Sequence, residues 1–391
     1  MPGLTGVVGV SEGASAAALD MARSLGRGLS EEKVLIAGNS CEAMASEAFP
    51  ARSPKQNVFV ASDGSITGVN GEIYGLSDDG CCSEETFTSS DRAHPARLLS
   101  DLYRRQGLAV IPRLRGAFSI AIWDAPAKTL HLASDRYGLR PMYYSSFTGS
   151  VAFSSEVKAL LRALPSPRPL DEQGIADFLF LGMPIGARTF FSNVHLLPPA
   201  TIVSVHEARV TQRRYWNLSF RPSDEPCDNI ERAAELFAEA FSRAVHDCTS
   251  DTDPIELPLS GGLDSRCLAV AAHPSKSIRT YTIGSEGSED LRIGPHISRI
   301  LGLPNAAWTL TPSDFLDWIP KTVFLTDGMY SPLHSPIIYI AERLPADASV
   351  VLDGTNSFDG SYMFPYMLLA RFLHSRWDPA RCFLKICSEP I

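Results

Sequence analysis

The stretch Leu257-Pro258-Leu259-Ser260-Gly261-Gly262-Leu263-Asp264-Ser265 decides the reading of this chain. Apolar residues run up to Leu259 and break at a Gly-Gly pair. Residues 264–272 (DSRCLAVAA) then take up helical spacing. Strand, glycine loop and helix in that order make a seat for an anion. Gly261 and Gly262 let the backbone approach a ligand closely. The N–H groups of the loop and of the first helical turn then face it. Ser260 and Ser265 add hydroxyl donors. Asp264 would repel phosphate unless a cation lay between them, so it reads as a Mg2+ ligand. The lysine of GxxxxGK[ST] is missing, so this is not a Walker A loop. Such a seat suits pyrophosphate. The expected chemistry is attack on the α-phosphorus of ATP, releasing pyrophosphate and leaving AMP on a carboxylate. The competing reading is a plain Gly-Gly turn in which Asp264 or Ser265 caps the helix.

Working outward, the periodicity predicts strands at 254–259, 278–284, 306–311 and 348–354. It predicts helices between them at 264–272, 290–301, 313–325 and 335–344. Strands joined by helices imply right-handed crossovers and a parallel sheet, which binds ligands at the carboxyl ends of its strands. Upstream, ERAAELFAEAFSRAVH (231–246) places Ala233, Leu236, Phe237, Ala240, Phe241, Ala244 and Val245 on one helical face. Before it, 217–230 holds two prolines and several turn-formers and reads as a linker. The first half differs in kind. GLTGVVGV, VFVASD, ITGVNGEIY, FSIAIWD, TLHLASD and SVAFSS are short strand-like runs, with one helical stretch at 95–106. That half predicts a layered α+β domain with largely antiparallel sheets.

The chain has 391 residues, which predicts two or three domains. Hydrophobic residues make up 45% and charged residues 20%, a globular composition. The net charge of −9 argues against a general nucleic-acid binder. No apolar run approaches the roughly 20 residues that span a bilayer. The opening MPGLTGVVGVSEGAS lacks the basic and apolar regions of a signal peptide, so the expected location is the cytoplasm. Cys41, Cys81, Cys82, Cys227, Cys248, Cys267, Cys382 and Cys387 form no CxxC pair and read as reduced thiols. The nine histidines show no metal spacing.

Several ordered segments resemble the glutamine-dependent asparagine synthetase family. SGGLDS at 260–265 matches its pyrophosphate loop, and VNGEIYG at 69–75 its glutamine-site strand. RLRGAFSIAIWD (113–124), DRYGLRPMYYS (135–145) and FSSEVKALL (153–161) resemble core segments. TFF…LLPPA (189–200) and RRYW (213–216) resemble the end of the first domain. The resemblance implies an α+β amino-terminal Ntn-hydrolase sandwich over 1–216 and a linker at 217–230. An α/β adenine-nucleotide α-hydrolase-like synthetase domain follows over 231–391. It implies that the second domain adenylates a carboxylate, aspartate or a related acid, for attack by ammonia or another amine. ATP and Mg2+ are the implied cofactors, bound by Leu259, Ser260, Gly261, Gly262, Asp264, Ser265, Ile283 and Gly354. Asp290 resembles an acidic residue near pyrophosphate, with helix capping as its alternative. Asp327 and Gly328 read as a turn or as neighbours of the acyl site. Asp135, Arg136 and Arg140 read as structural.

Three departures from the family pattern qualify that expectation. The family nucleophile is an amino-terminal cysteine, and Pro2 stands at that place, with no thiol or hydroxyl to form a thioester. Asn70 and Gly71, at the oxyanion-hole positions, and Asp91, which resembles the residue gripping the glutamine amine, would then be vestigial. At the second active-site loop, Leu352-Asp353-Gly354-Thr355-Asn356-Ser357-Phe358-Asp359 has Thr355 in place of an acid. Asp353 and Asp359 are candidates for base or metal ligand, or are turn residues. The carboxyl end reads as shortened, and Lys385 does not align with the lysine that stabilises the adenylation transition state. Loss of the cysteine also resembles β-lactam synthetases and lasso-peptide cyclases, which adenylate in the same way and need no ammonia. A non-catalytic nucleotide-binding paralogue is the third alternative. The expected partners are a small-molecule or peptide carboxylate and an amine, without nucleic acid or membrane. A homodimer is a candidate assembly.

Overall fold

The computed structural model describes residues 3–9, 12–25, 34–47, 57–77, 84–147, 149–207, 209–218, 229–250, 252–273, 276–331, 336–345, 347–348 and 350–354. Pro2, Asp359, Lys385, five of the eight cysteines and most of the segment 217–230 lie outside them. The chain packs as two compact units. One joins 1–237 to 311–349, and the other joins 238–310 to 350–391.

The first unit begins with β1 (Leu4–Val8), α1 (Ala14–Arg23), β2 (Val34–Gly38), β3 (Glu42–Glu47), β4 (Val58–Val60) and β5 (Ile66–Ser77). Then come β6 (Glu84–Thr86), α2 (Ser89–Ala93), α3 (Pro95–Gln106), β7 (Leu114–Asp124), β8 (Thr129–Ser134), β9 (Tyr143–Phe147) and β10 (Ser150–Ser154). Next are α4 (Val157–Ala163), α5 (Glu172–Leu181), β11 (His195–Leu196), β12 (Thr201–His206) and β13 (Arg209–Arg214). The strands form two antiparallel sheets, ordered β11-β9-β10-β1-β3-β2 and β13-β12-β8-β7-β5-β4, with β6 on β5.

Period-two alternation gives each sheet two apolar faces. On β10, Val151 and Phe153 enter the core between the sheets with Leu4, Met44, Ile66 and Leu132. Ala152 points the other way, into a layer shared with Ala18 and Met21 of α1 and Leu160 of α4. On the far side, Val69, Phe118 and Ile120 pack under Ala96 and Leu99 of α3. The result is the four-layer helix-sheet-sheet-helix sandwich expected of an Ntn-type domain.

The second unit takes in the end of α6 (Ile230–Thr249), then β14 (Ile255–Pro258), α7 (Leu263–Ala272), β15 (Ile278–Gly284), α8 (Glu289–Leu301) and β16 (Asn305–Thr309). Its strands run β14-β15-β16, all parallel, as the alternating pattern predicts. Two expectations shift. The strand expected at 306–311 stops at Thr309, because Thr311 pairs with Asp314 in a capping box that starts α9 (Pro312–Thr326). The strand expected at 348–354 reduces to one parallel bridge, Val351 beside Glu256. There the Glu256 N–H donates to Val350 at 3.0 Å and the Leu352 N–H donates to Glu256 at 2.8 Å, before Asp353-Gly354 ends the pairing. In α6 the apolar face is buried unevenly. Val245 is buried, but Leu236 and Phe237 are 45% and 50% exposed. Periodicity shows which side of a helix is apolar, not how deeply folding buries each residue on it. α9 and α10 (Pro336–Arg343) belong to the first unit.

Candidate functional site

The loop Leu259–Ser265 connects β14 to α7 at the carboxyl end of the parallel sheet. Leu259 is buried, its N–H donating to Tyr281 at 2.7 Å while its carbonyl accepts from the Thr282 hydroxyl at 2.8 Å. Those two bonds fix the start of the loop to β15. Within the loop, the Ser260 N–H donates to Ser265 Oγ at 3.2 Å, and the two serine hydroxyls lie 3.2 Å apart. The Gly262 N–H donates to Ser260 Oγ at 3.1 Å. The Gly261 N–H donates to Oδ1 of Asp290, on α8, at 2.7 Å. A backbone donor of the glycine pair is thus already directed at a carboxylate oxygen, an anionic group.

The capping alternative is overturned. The N-cap of α7 is Gly262, with no side-chain cap, and both Asp264 and Ser265 lie inside the helix. Asp290 is not the N-cap of α8 either, since Ser288 holds that position. Gly294 of α8 packs directly under the loop. A Cβ there would stand 2.6 Å from the Leu259 carbonyl oxygen, so only glycine fits that approach.

Gly354 is brought to the same place. A Cβ on it would lie 3.2 Å from Asp264 and 3.1 Å from Leu268 Cδ1. The structure therefore assembles Leu259, Ser260, Gly261, Gly262, Asp264, Ser265 and Gly354. Ile283, at the end of β15, is half-buried and pairs in register with Trp308 of β16. Asp353 is exposed next to Gly354. Among the described residues no group of three or more His, Cys, Asp or Glu is placed to hold a metal ion. A hard cation carried by phosphate oxygens needs only one or two carboxylates from the protein, and Asp264 in the first turn of α7 suits that need.

Sequence reasoning missed Glu256. This acid on β14 is fully buried and accepts from Arg279 Nε at 2.8 Å and from the Tyr281 hydroxyl. Tyr281 in turn stacks on Trp308, ring centroids 5.4 Å apart. The signal was a single acid alternating with apolar residues in Ile255-Glu256-Leu257.

In the first unit, Asn70 of β5 is buried and its amide donates to Ser119 Oγ at 3.2 Å. Gly71 has φ +117, and any Cβ would collide with the Ala117 carbonyl, which explains the glycine. Asp91 is engaged in capping α2. Its Oδ2 accepts from the Thr88 N–H at 3.0 Å and the Thr88 hydroxyl at 2.7 Å. Asp135 anchors the turn after β8, accepting N–H bonds from Phe118, Tyr137 and Leu139. Burial nevertheless pushes its carboxyl above the usual carboxylate range. Asp327 is no turn in isolation. It ends α9, and its carboxylate reaches Val157 and Lys158.

Comparison with known families divides the chain once, between residues 216 and 236. Residues 1–216 match the glutamine amidotransferase domain family, and residues 236–372 match asparagine synthase. Asparagine synthetase (glutamine-hydrolyzing) 2 of Bacillus subtilis is 27% identical over 339 residues, covering 78% of this chain and 44% of the relative. Asparagine synthetase (glutamine-hydrolyzing) 1 of the same bacterium is 25% identical over 296 residues, covering 73% and 45%. Amidase chyE of Penicillium rubens is 30% identical over 216 residues, covering 54% and 31%. The chain thus spans about half the length or less of these relatives. No helix among the described residues is long and apolar enough to cross a membrane. A glutamine amidotransferase domain followed by an asparagine synthase match, on the sandwich and parallel sheet described above, places the chain in the asparagine synthetase family.

Proposed function

We propose that the chain carries an ATP-dependent, AMP-forming amide ligase of the asparagine synthetase type. The observation that supports this most directly is the Gly261 N–H aimed at an anionic oxygen, with Gly354 closing against Asp264. In the reaction, a substrate carboxylate oxygen attacks the α-phosphorus of ATP, and the bond to pyrophosphate breaks. An amine then attacks the acyl carbon, and AMP leaves with the bonding electrons.

The chain's own residues would bind and orient. The N–H groups of Gly261 and Gly262 and the hydroxyls of Ser260 and Ser265 would hold the pyrophosphate end. Leu259, Ile283 and Gly354 would border the nucleotide base. Asp264 would hold Mg2+, which when bound neutralises phosphate charge. Asp353, and Asp359 outside the described residues, remain proposed as base or metal ligand.

The first domain is proposed to lack glutaminase activity, because Pro2 offers no nucleophile. The amine would then come from solution or from the substrate itself. That second possibility, a cyclase acting on a β-amino acid or a peptide, is favoured by the same proline. ATP–pyrophosphate exchange across a panel of carboxylates tests the reading. Exchange with any acid supports the ligase. Tight ATP binding with no exchange from any acid would point to a non-catalytic nucleotide binder. Glutamate release from glutamine at rates typical of the family would refute the glutaminase part.

A further inference from the structure

Residues 311–349 fall inside the asparagine synthase match, yet they pack in the unit built by 1–237. Asp327 lies at the centre of that attachment. It terminates α9 in the left-handed region at φ 55, a conformation aspartate tolerates better than most residues. Its Oδ2 accepts the Val157 N–H at 2.6 Å, and its Oδ1 accepts the Lys158 N–H at 3.3 Å and Lys158 Nζ at 3.2 Å. These are the first two residues of α4, in the segment FSSEVKALL of the sandwich.

Lys158 ties the same two pieces a second way. Its Nζ donates to the Phe324 carbonyl of α9 at 2.9 Å and stands 4.8 Å from the Phe324 ring centroid. It also pairs with Glu156. Around these polar bonds the fit is apolar. Met329 is buried in the layer that holds Tyr143, Val157 and Leu160. Gly328 lies beside the Phe190 ring, which a Cβ would meet at 3.4 Å, an ordinary contact distance. The Asp327 side chain is only 8% exposed. Burial pushes its carboxyl above the usual carboxylate range, and Lys158 pulls it part of the way back. A carboxylate held at such a cost, in a left-handed residue, is there for the bonds it makes.

We propose that the amidotransferase-like unit serves as a docking platform for α9 and the turn that follows it, with Asp327 as the latch. In that role the sandwich keeps a use in a chain with proline at residue 2. It would order a piece of the synthetase match rather than supply ammonia. The purpose of the latch rests on the ligase reading; its existence does not.

Amide hydrogen exchange on the full chain tests it, with Asp327→Ala, Asp327→Asn and Lys158→Met set against the parent. Asp327→Ala is expected to speed exchange at least tenfold in peptides covering 157–163 and 312–331, leaving 118–134 unchanged. Asp327→Asn keeps an acceptor oxygen and should recover part of the protection. If Asp327→Ala does not fold, Lys158→Met gives the same reading, with at least threefold faster exchange confined to those peptides. Exchange within twofold of the parent in both peptides would overturn the proposal. So would equal acceleration throughout the sandwich, which would mean general loosening. ATP–pyrophosphate exchange run in parallel judges the ligase separately. A parent chain without it would sink that reading and leave the latch to be decided by the amides.

Discussion

The Asp290 carboxylate accepts the Gly261 N–H at 2.7 Å, across 29 residues of chain. This bond holds the glycine loop in shape and places a negative charge where a phosphate oxygen would compete for the same donor. Asp290→Asn keeps an acceptor for Gly261 and removes the charge. We expect ATP affinity measured without magnesium to rise about fivefold, the ~1 kcal/mol of one close charge pair in water. Asp264→Asn should do the opposite when magnesium is present, weakening Mg·ATP binding while leaving metal-free binding nearly unaltered. Isothermal titration with and without chelator reads both, and an unchanged Mg·ATP affinity in Asp264→Asn would remove the metal role.

Gly294→Ala sets two effects against each other. Alanine favours a helix over glycine by about 1 kcal/mol. Its Cβ, however, would stand 2.6 Å from the Leu259 carbonyl, a backbone atom that cannot step aside. Overpacking of this kind costs ~1–3 kcal/mol, so the clash should win. Urea unfolding should show a net loss, and nucleotide affinity should fall with it because Leu259 carries the loop. A stabilised variant with full affinity would contradict this geometry.

Glu256→Gln removes one charge from a buried pair. Breaking such pairs costs ~3–5 kcal/mol because the other charge is left uncompensated. Arg279 is 27% exposed at its side chain, which puts the expected loss near the lower end, about 3 kcal/mol. Replacing both residues by methionine should recover much of it. Denaturant midpoints for the parent and the two variants check the ordering, and a Glu256→Gln chain as stable as the parent would show the pair to be idle.

His131 gives a pH dependence. Burial holds its imidazole below the ordinary histidine value, and the Asp124 charge offsets this only in part. Its ring Nδ1 lies 2.8 Å from Ser204 Oγ. The neutral ring is the form the fold favours. The unfolded chain takes up a proton near pH ~6.5, whereas the folded chain does so only at lower pH. The contribution of His131 is therefore present above about pH 6.5 and is lost as pH falls toward the depressed value. Unfolding midpoints should drop from about pH 7.5 to about pH 5, and His131→Asn should flatten that slope. Equal slopes in the two proteins would exclude His131 as the source.

Local chemistry made much of this protein legible from its residues alone. Gly261-Gly262 after an apolar run announced a loop between strand and helix, and α7, α8 and α9 lie within one or two residues of their expected limits. Those features depend on residues a few positions apart, where spacing and capping act. Tertiary packing decided the rest. Asp290 reaches Gly261 over 29 residues, and Asp327 reaches Val157 over 170. Gly354 meets Asp264 only because a bridge at Val351 sets the chain beside β14. Each of these side chains or glycines looks, in sequence, like an ordinary turn or cap. Which donor a carboxylate finds is settled by surfaces that meet on folding, since burying it unpaired would cost more than the fold can spare. For the same reason the pattern of α6 showed an apolar face but not its fate, and the helices of 311–349 showed no sign of the unit they join.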